Sequence, residues 1–203
     1  MPEASTRATI LEKRYERPRL HLRYPKIQGL SNPFAEQKIN HTIQQLLFSL
    51  IRDQGYANPV TDITATYKVR LNKNGVLSIT YEVYSYTQGA AHGLTVMKST
   101  TFQLETGKLV SFESLFKPNS KYRSIINAKI KSETKENQVP LIKEFVTISP
   151  DQDYYLTDDA LIAYFQLYEY TSYAYGFPEF SIPFSYLKPV INPYGPIPKI
   201  MRS

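Results

Sequence analysis

The sequence predicts an α+β fold: an antiparallel sheet meander with two main helices packed on it, its two segments joined in one compact unit. Three observations predict this. Apolar residues recur at helical spacing over residues 33–53 and again over 122–130. Between and after these stretches, over residues 63–71, 76–86 and 94–104, apolar and polar residues alternate with period two. That alternation is the mark of strands with one wet face. The breaks between strands carry turn chemistry, above all Asn72-Lys73-Asn74-Gly75. Its Asn-Gly pair accepts the positive φ angles of a tight hairpin.

Bulk properties narrow the classes. With 203 residues, 42% hydrophobic and 21% charged, the chain can bury a real core. It has no cysteine, which rules out disulfides and thiolate metal sites. No run of 18 apolar residues occurs, so no membrane-spanning helix is expected. Met1 to Ile10 lacks the apolar centre of a signal peptide. The chain is thus expected to be cytosolic or to have lost a leader or anchor. The net charge is +6, but the basic residues are scattered rather than gathered in a stripe, so no nucleic-acid partner is expected.

Taken in order, residues 1–20 form a polar lead-in with Lys13, Arg14, Arg17 and Arg19 close together, read as a solvated arm or a first strand. Residues 21–93 form a first α+β segment. His21 to Ile27 alternates, and Pro25 marks it as an edge strand because proline cannot donate to a ladder. Asn32-Pro33 then opens a helix over 33–53, with asparagine as N-cap and proline at the first helical position. Ala35, Ile39, Ile43, Leu46, Leu47, Leu50 and Ile51 line its apolar face, Gly55 ends it, and His41 reads as an ordinary surface histidine. The hairpin strands follow, and the small residues of Gln88-Gly89-Ala90-Ala91-His92-Gly93 break the pattern.

Residues 94–188 form the second segment. A strand to Leu104 is closed by Glu105-Thr106-Gly107-Lys108, and Phe112, Leu115 and Phe116 make an apolar cluster. Asn119 or Ser120 is expected to cap the second helix, and Pro140 to stop it. Leu141 to Ile148 reads as further helix or as strand. Tyr154 to Leu156, Ala160 to Leu167 and Glu179 to Phe184 read as strands, with Thr157-Asp158-Asp159 as a turn. Residues 189–203 are a proline-rich tail, expected to be extended.

The stretch from 154 to 187 dominates the second segment. It holds twelve of the chain's 17 tyrosines and 10 phenylalanines. From Asp151 to Leu187 there are six carboxylates and no lysine or arginine. Rings this dense must largely be buried, yet unpaired carboxylates must stay wet. Core strands with an exposed loop between them, at residues 170–178, meet both demands. Tyr168, Tyr170, Tyr173, Tyr175 and Phe177 are too dense to be all core, although tyrosines covering a sheet would give the same pattern. Exposed tyrosine suits protein interfaces, and Glu169 and Glu179 beside it suit a cationic partner. No nucleophile elbow, HExxH, phosphate loop or cysteine nucleophile is present, so the chain reads as a binder, without catalytic residues, cofactor or metal.

Four motifs carry a family resemblance: Gly89-Ala90-Ala91-His92-Gly93, Leu104 to Lys108, Tyr155 to Phe165 and Pro178 to Pro183. In this order the chain resembles the bacterial domain family found in the extracellular part of the anti-sigma factor RsiV and in the N-terminal region of the peptidoglycan deacetylase PdaC. It departs from the family in having one glycine and a small residue where paired glycines are usual. It is also expected to differ in having no transmembrane helix ahead of the domain and no deacetylase domain after it. The resemblance implies an α+β extracytoplasmic domain, at the surface of a Gram-positive-type envelope or secreted. It further implies binding of a cationic wall-active protein such as lysozyme, and the chain is expected to be a monomer. The expected partner-binding residues are Gln88, Gly89, His92, Tyr168, Glu169, Tyr170, Tyr173, Tyr175, Phe177, Pro178 and Glu179. The alternative is an accessory module that binds peptidoglycan through the same tyrosines.

Overall fold

A computed structural model describes residues 7–202; residues 1–6 of the expected lead-in, and Ser203 of the tail, lie outside the described residues. The chain divides into two compact units, Met1–Leu109 and Val110–Ser203. The sequence reading breaks it after Gly93, whereas the first sheet runs on through two further strands.

In the first unit, six strands lie in sequence order, β1 to β6. β1 (Thr9–Arg17) and β2 (Leu20–Gln28) pair as an antiparallel hairpin, so Thr9–Arg17 of the expected lead-in is the outermost strand. Glu12, Lys13, Arg14, Glu16 and Arg17 leave it exposed, and charge on an outer strand discourages pairing with another chain. β2 is therefore not the edge. It pairs with β3 as well, in parallel, but through Leu20, Leu22 and the residue between them alone. Pro25 lies beyond that short ladder, and its missing N–H removes no bond from it.

α1 (Pro33–Asp53) provides the crossover that parallel neighbours require, so the sheet is antiparallel except at this one joint. The Asn32 side chain caps α1 by accepting from the Phe34 and Ala35 N–H groups. Where β3 has left β2, Asn40 of α1 takes its place. Its Oδ1 accepts from the Ile27 N–H at 2.8 Å, and its Nδ2 donates to the Ile27 carbonyl at 2.8 Å. Asn40→Ala would leave both backbone groups unpaired beside the core. It is expected to lower stability by about 2–4 kcal/mol, read as a shift in the urea midpoint at unchanged slope.

β3 (Thr61–Lys73) and β4 (Val76–Thr87) form the predicted hairpin, with positive φ at both Asn74 (49°) and Gly75 (76°). β5 (Leu94–Gln103) and the short β6 (Lys108–Leu109) complete the sheet. Ile39, Ile43 and Leu47 of α1 pack on Leu77, Ile79, Tyr81 and Phe102, and Leu50 and Ile51 pack on Leu20, Leu22, Ile63 and Val83. The turn between β5 and β6 presses on the first turn of α1. A Cβ on Gly107 would lie 2.7 Å from the Ala35 carbonyl oxygen, and Asn32 Nδ2 donates to the Glu105 carbonyl at 3.0 Å.

In the second unit, a 3₁₀ turn (Glu113–Leu115) precedes α2 (Tyr122–Glu136), which buries Tyr122, Ile126 and Ile130. Neither Asn119 nor Ser120 caps this helix; Lys121 stands at the cap without a side-chain bond. Asn119 is instead spent on a left-handed turn, with φ of 58°. β7 (Tyr154–Leu156), β8 (Ala160–Tyr164) and β9 (Glu179–Pro183) form a three-stranded antiparallel sheet in that order. Thr157 makes the β7–β8 turn. Its hydroxyl accepts from the Ala160 N–H at 3.1 Å and donates to Asp159 at 3.0 Å.

Residues 141–148 are neither helix nor regular strand. They are pinned by buried Phe145 and Ile148 and by an isolated bridge between Leu141 and Thr171. The tail is not extended either. α3 (Phe184–Leu187) and α4 (Pro196–Ile200) fold into it, with proline at the start of α4 and Ile191, Ile197 and Ile200 buried. The Asn192 N–H donates to the Leu115 carbonyl at 2.9 Å, and the Lys117 N–H to the Val190 carbonyl at 2.8 Å, which fastens the tail to the 3₁₀ turn.

Candidate functional site

β8 ends at Tyr164, earlier than the sequence suggests, because the chain turns at once. Phe165 is buried, the Glu169 N–H returns to the Gln166 carbonyl at 3.1 Å, and Tyr168 takes a φ of 63°. A left-handed tyrosine is uncommon and costs some strain. It holds the ring outward, 48% exposed.

The loop that follows sorts its aromatic residues into two kinds. Tyr170 belongs to the scaffold. Its ring meets Phe165 edge-on at 4.8 Å and Phe145 at 5.6 Å, while the Lys143 ammonium lies 4.6 Å from its centroid. Burial, with the Glu169 carboxylate adding to it, pushes the Tyr170 phenol above its ordinary pKa. Pro178 is buried as well, its carbonyl accepting from the Phe165 N–H at 3.1 Å. Phe177 is half-buried. The rings of Tyr168 and Tyr175 face outward. Tyr175 is 45% exposed, and Tyr173, half-buried, lies 5.7 Å from the ring of Tyr168. Tyr173–Tyr175 is one 3₁₀ turn, closed by Gly176 at a φ of 83°.

The two carboxylates are held in place. Glu169 is half-buried and accepts from the Gln166 N–H at 2.9 Å, while exposed Glu179 accepts from the Tyr155 hydroxyl at 3.1 Å.

Sequence reasoning missed a neighbouring segment. The Ile142 N–H donates to the Tyr170 carbonyl at 2.9 Å, so residues 141–146 run alongside the loop. There Ile142 is 57% exposed and Val146 66%, while Phe145 between them is buried. The available signal was four apolar residues over 141–146 at a spacing that one helical face would also give, which hid an irregular segment with two side chains left in water.

The remaining expected residues belong to the other unit. Gln88, Gly89 and His92 are exposed on the β4–β5 connection. The Gln88 N–H donates to the Val60 carbonyl at 2.9 Å, and His92 Nδ1 lies 2.9 Å from the Gly93 carbonyl. A Cβ on Gly93 would sit 2.3 Å from the tip of the Tyr84 ring, so the ring lies directly over this glycine.

Among the described residues no group of three or more His, Cys, Asp or Glu side chains is placed to hold a metal ion, and no helix is long and apolar enough to cross a membrane. What the aromatic loop offers chemically is flat, amphipathic surface next to fixed negative charge.

Comparison with known proteins adds a family to this geometry. Residues 12–95 match a family model described as Deacetylase PdaC, and residues 113–185 match one described as a protein of unknown function, DUF3298. The anti-sigma-V factor RsiV of Bacillus subtilis (strain 168) is 28% identical over 185 residues. That alignment takes in 81% of this chain, which spans 62% of RsiV's length. A DUF3298 family protein of Pseudomonas aeruginosa PAO1 shares the fold with a TM-score of 0.71 at 15% identity, over 100% of this chain and 98% of that one. A DUF3298 member from Bacteroides fragilis gives 0.67 at 12% identity, over 98% and 97% of the two chains. At those identities the two structures speak for the fold alone. The two family segments in their order, with a relative aligned at 28% identity, support one assignment for this chain, an RsiV/PdaC-like domain.

Proposed function

We propose that the chain is an extracytoplasmic binding domain, without a reaction of its own, that receives a cationic wall-active protein such as lysozyme on the aromatic loop of the second unit. The observation that carries this reading is the sorting of the rings. Tyr170 anchors the loop from inside, so Tyr168, Tyr173 and Tyr175 stand on a fixed platform. Large rings held in place lose little freedom on binding. The stretch from Asp151 to Leu187, free of lysine and arginine, supplies the charge that would draw in a cation. The resemblance to RsiV supports a regulatory or binding role, and the lysozyme partner is carried over from that resemblance. The exposed Gln88, Gly89 and His92 are proposed separately, as a contact of the first unit in its own right.

Titrating lysozyme into the protein by calorimetry at low salt tests the reading. A complex at micromolar concentration is expected, weakening as salt rises past about 0.1 M, where screening reaches roughly 10 Å. Absence of heat and of a complex removes the proposal. Tyrosine faces also stack on sugars, so a glycan-binding role is the second reading. Muropeptide titration followed by NMR favours it if shifts appear over residues 168–180 and lysozyme produces none.

A further inference from the structure

We infer that Ile142 and Val146 form an apolar anchor beside the tyrosine loop, and that this anchor makes the occupant a protein rather than a glycan. The inference rests on the reading above, that the loop receives a cationic protein. Ile142 and Val146 are 57% and 66% exposed, on a segment with little freedom to move. Phe145 between them packs on Phe165 at 5.7 Å and on Tyr170 at 5.6 Å. Leu141 bridges to Thr171, and the Ile142 N–H is bonded to Tyr170. Two branched aliphatic side chains are thus fixed in water by the same aromatic cluster that fixes the loop.

Two aliphatic side chains held in water beside an aromatic loop add apolar area that a partner seated on the loop can cover. A glycan cannot use it well. Sugars stack on flat faces and bring hydroxyls that need partners, and a butyl or isopropyl group offers neither. A protein can bury these groups, as interface cores do. The charge around them selects a cation. Exposed Glu144 stands between the two anchors, Glu169 lies on the loop, and Lys143 is drawn over the Tyr170 ring.

The test is Ile142→Ser with Val146→Ser, titrated with lysozyme and, as a cation lacking any matched surface, with cytochrome c. Serine removes apolar area and adds no charge. The expected result is a lysozyme Kd raised about 10- to 30-fold, mostly through faster dissociation, with an unchanged melting temperature. Cytochrome c should bind both forms equally weakly. Ile142→Leu with Val146→Ile keeps the area and is expected to bind like the wild type, which separates lost contact from lost folding. If the wild type binds lysozyme and the serine variant binds as tightly, the anchor is refuted and the loop reading stands. Weak binding by the Leu/Ile variant also refutes it. If the wild type binds no lysozyme, both fall.

Discussion

Alanine at both Tyr173 and Tyr175 is expected to abolish lysozyme binding while leaving the melting temperature within about 2 °C of the wild type. Central interface tyrosines cost about 2 kcal/mol or more each when truncated, so the pair should weaken the complex by roughly 100- to 1,000-fold. Little of the fold depends on these rings. Tyr175 is 45% exposed, and the 3₁₀ turn is closed by backbone bonds, from the Tyr175 N–H to Ser172 and from the Gly176 N–H to Tyr173, both at 3.1 Å. Tyr170→Ala is the contrasting variant. It opens the cluster with Phe145 and Phe165 and should lose about 2–4 kcal/mol of stability. Calorimetry against lysozyme, paired with thermal melting of each variant, separates the two roles. A double alanine variant that melts far below the wild type would mean that these rings hold the fold and are not offered to a partner.

Gly107→Ala is expected to be among the most damaging single methyl additions to the first unit. The added Cβ would lie 2.7 Å from the Ala35 carbonyl oxygen and 2.9 Å from its Cα. Both atoms belong to a helix backbone, which cannot swing aside as a side chain can. The φ of 66° adds the penalty of a left-handed alanine. Together these should cost about 3–5 kcal/mol and lower the melting temperature by roughly 10 °C. The measurement is a thermal melt followed by circular dichroism, and a variant within a degree or two of the wild type would contradict the close approach. The glycine in the Leu104 to Lys108 motif thereby acquires a physical meaning: it is where the sheet's last turn meets the start of α1.

Elements whose signals are local were legible in the sequence. Asn32-Pro33 announced the start of α1, and Asn74-Gly75 announced the central hairpin, because caps and tight turns are decided by neighbouring residues. What escaped depends on distant partners. β1 carries too few apolar residues to show alternation, and its strand form comes from pairing with β2. The parallel joint between β2 and β3 follows from where α1 crosses, which no residue pattern states. The tail looked extended because proline was read as a breaker, yet Pro196 starts α4 and the isoleucines around it are buried against their unit. In the candidate site, the density of tyrosine pointed to the loop. Whether a given ring faces inward is set by Phe145, twenty residues or more upstream, so Tyr170 and Tyr175 looked alike until they were packed.

The short ladder between β2 and β3 has a mechanical consequence. With three residues on each strand in register there, the first hairpin is fastened to the rest of its sheet by Leu20, Leu22 and Ile27 lying against α1 and by polar links at few points, Asn40 to Ile27, Asn72 to Ala8 and Arg19 to Asn58 and Thr61. The apolar part of this seam should slacken on cooling, as apolar contacts do, and leave the polar links to hold it. The opening N-terminal ribbon is then the natural first flap to lift, ahead of any unravelling of the long strands behind it.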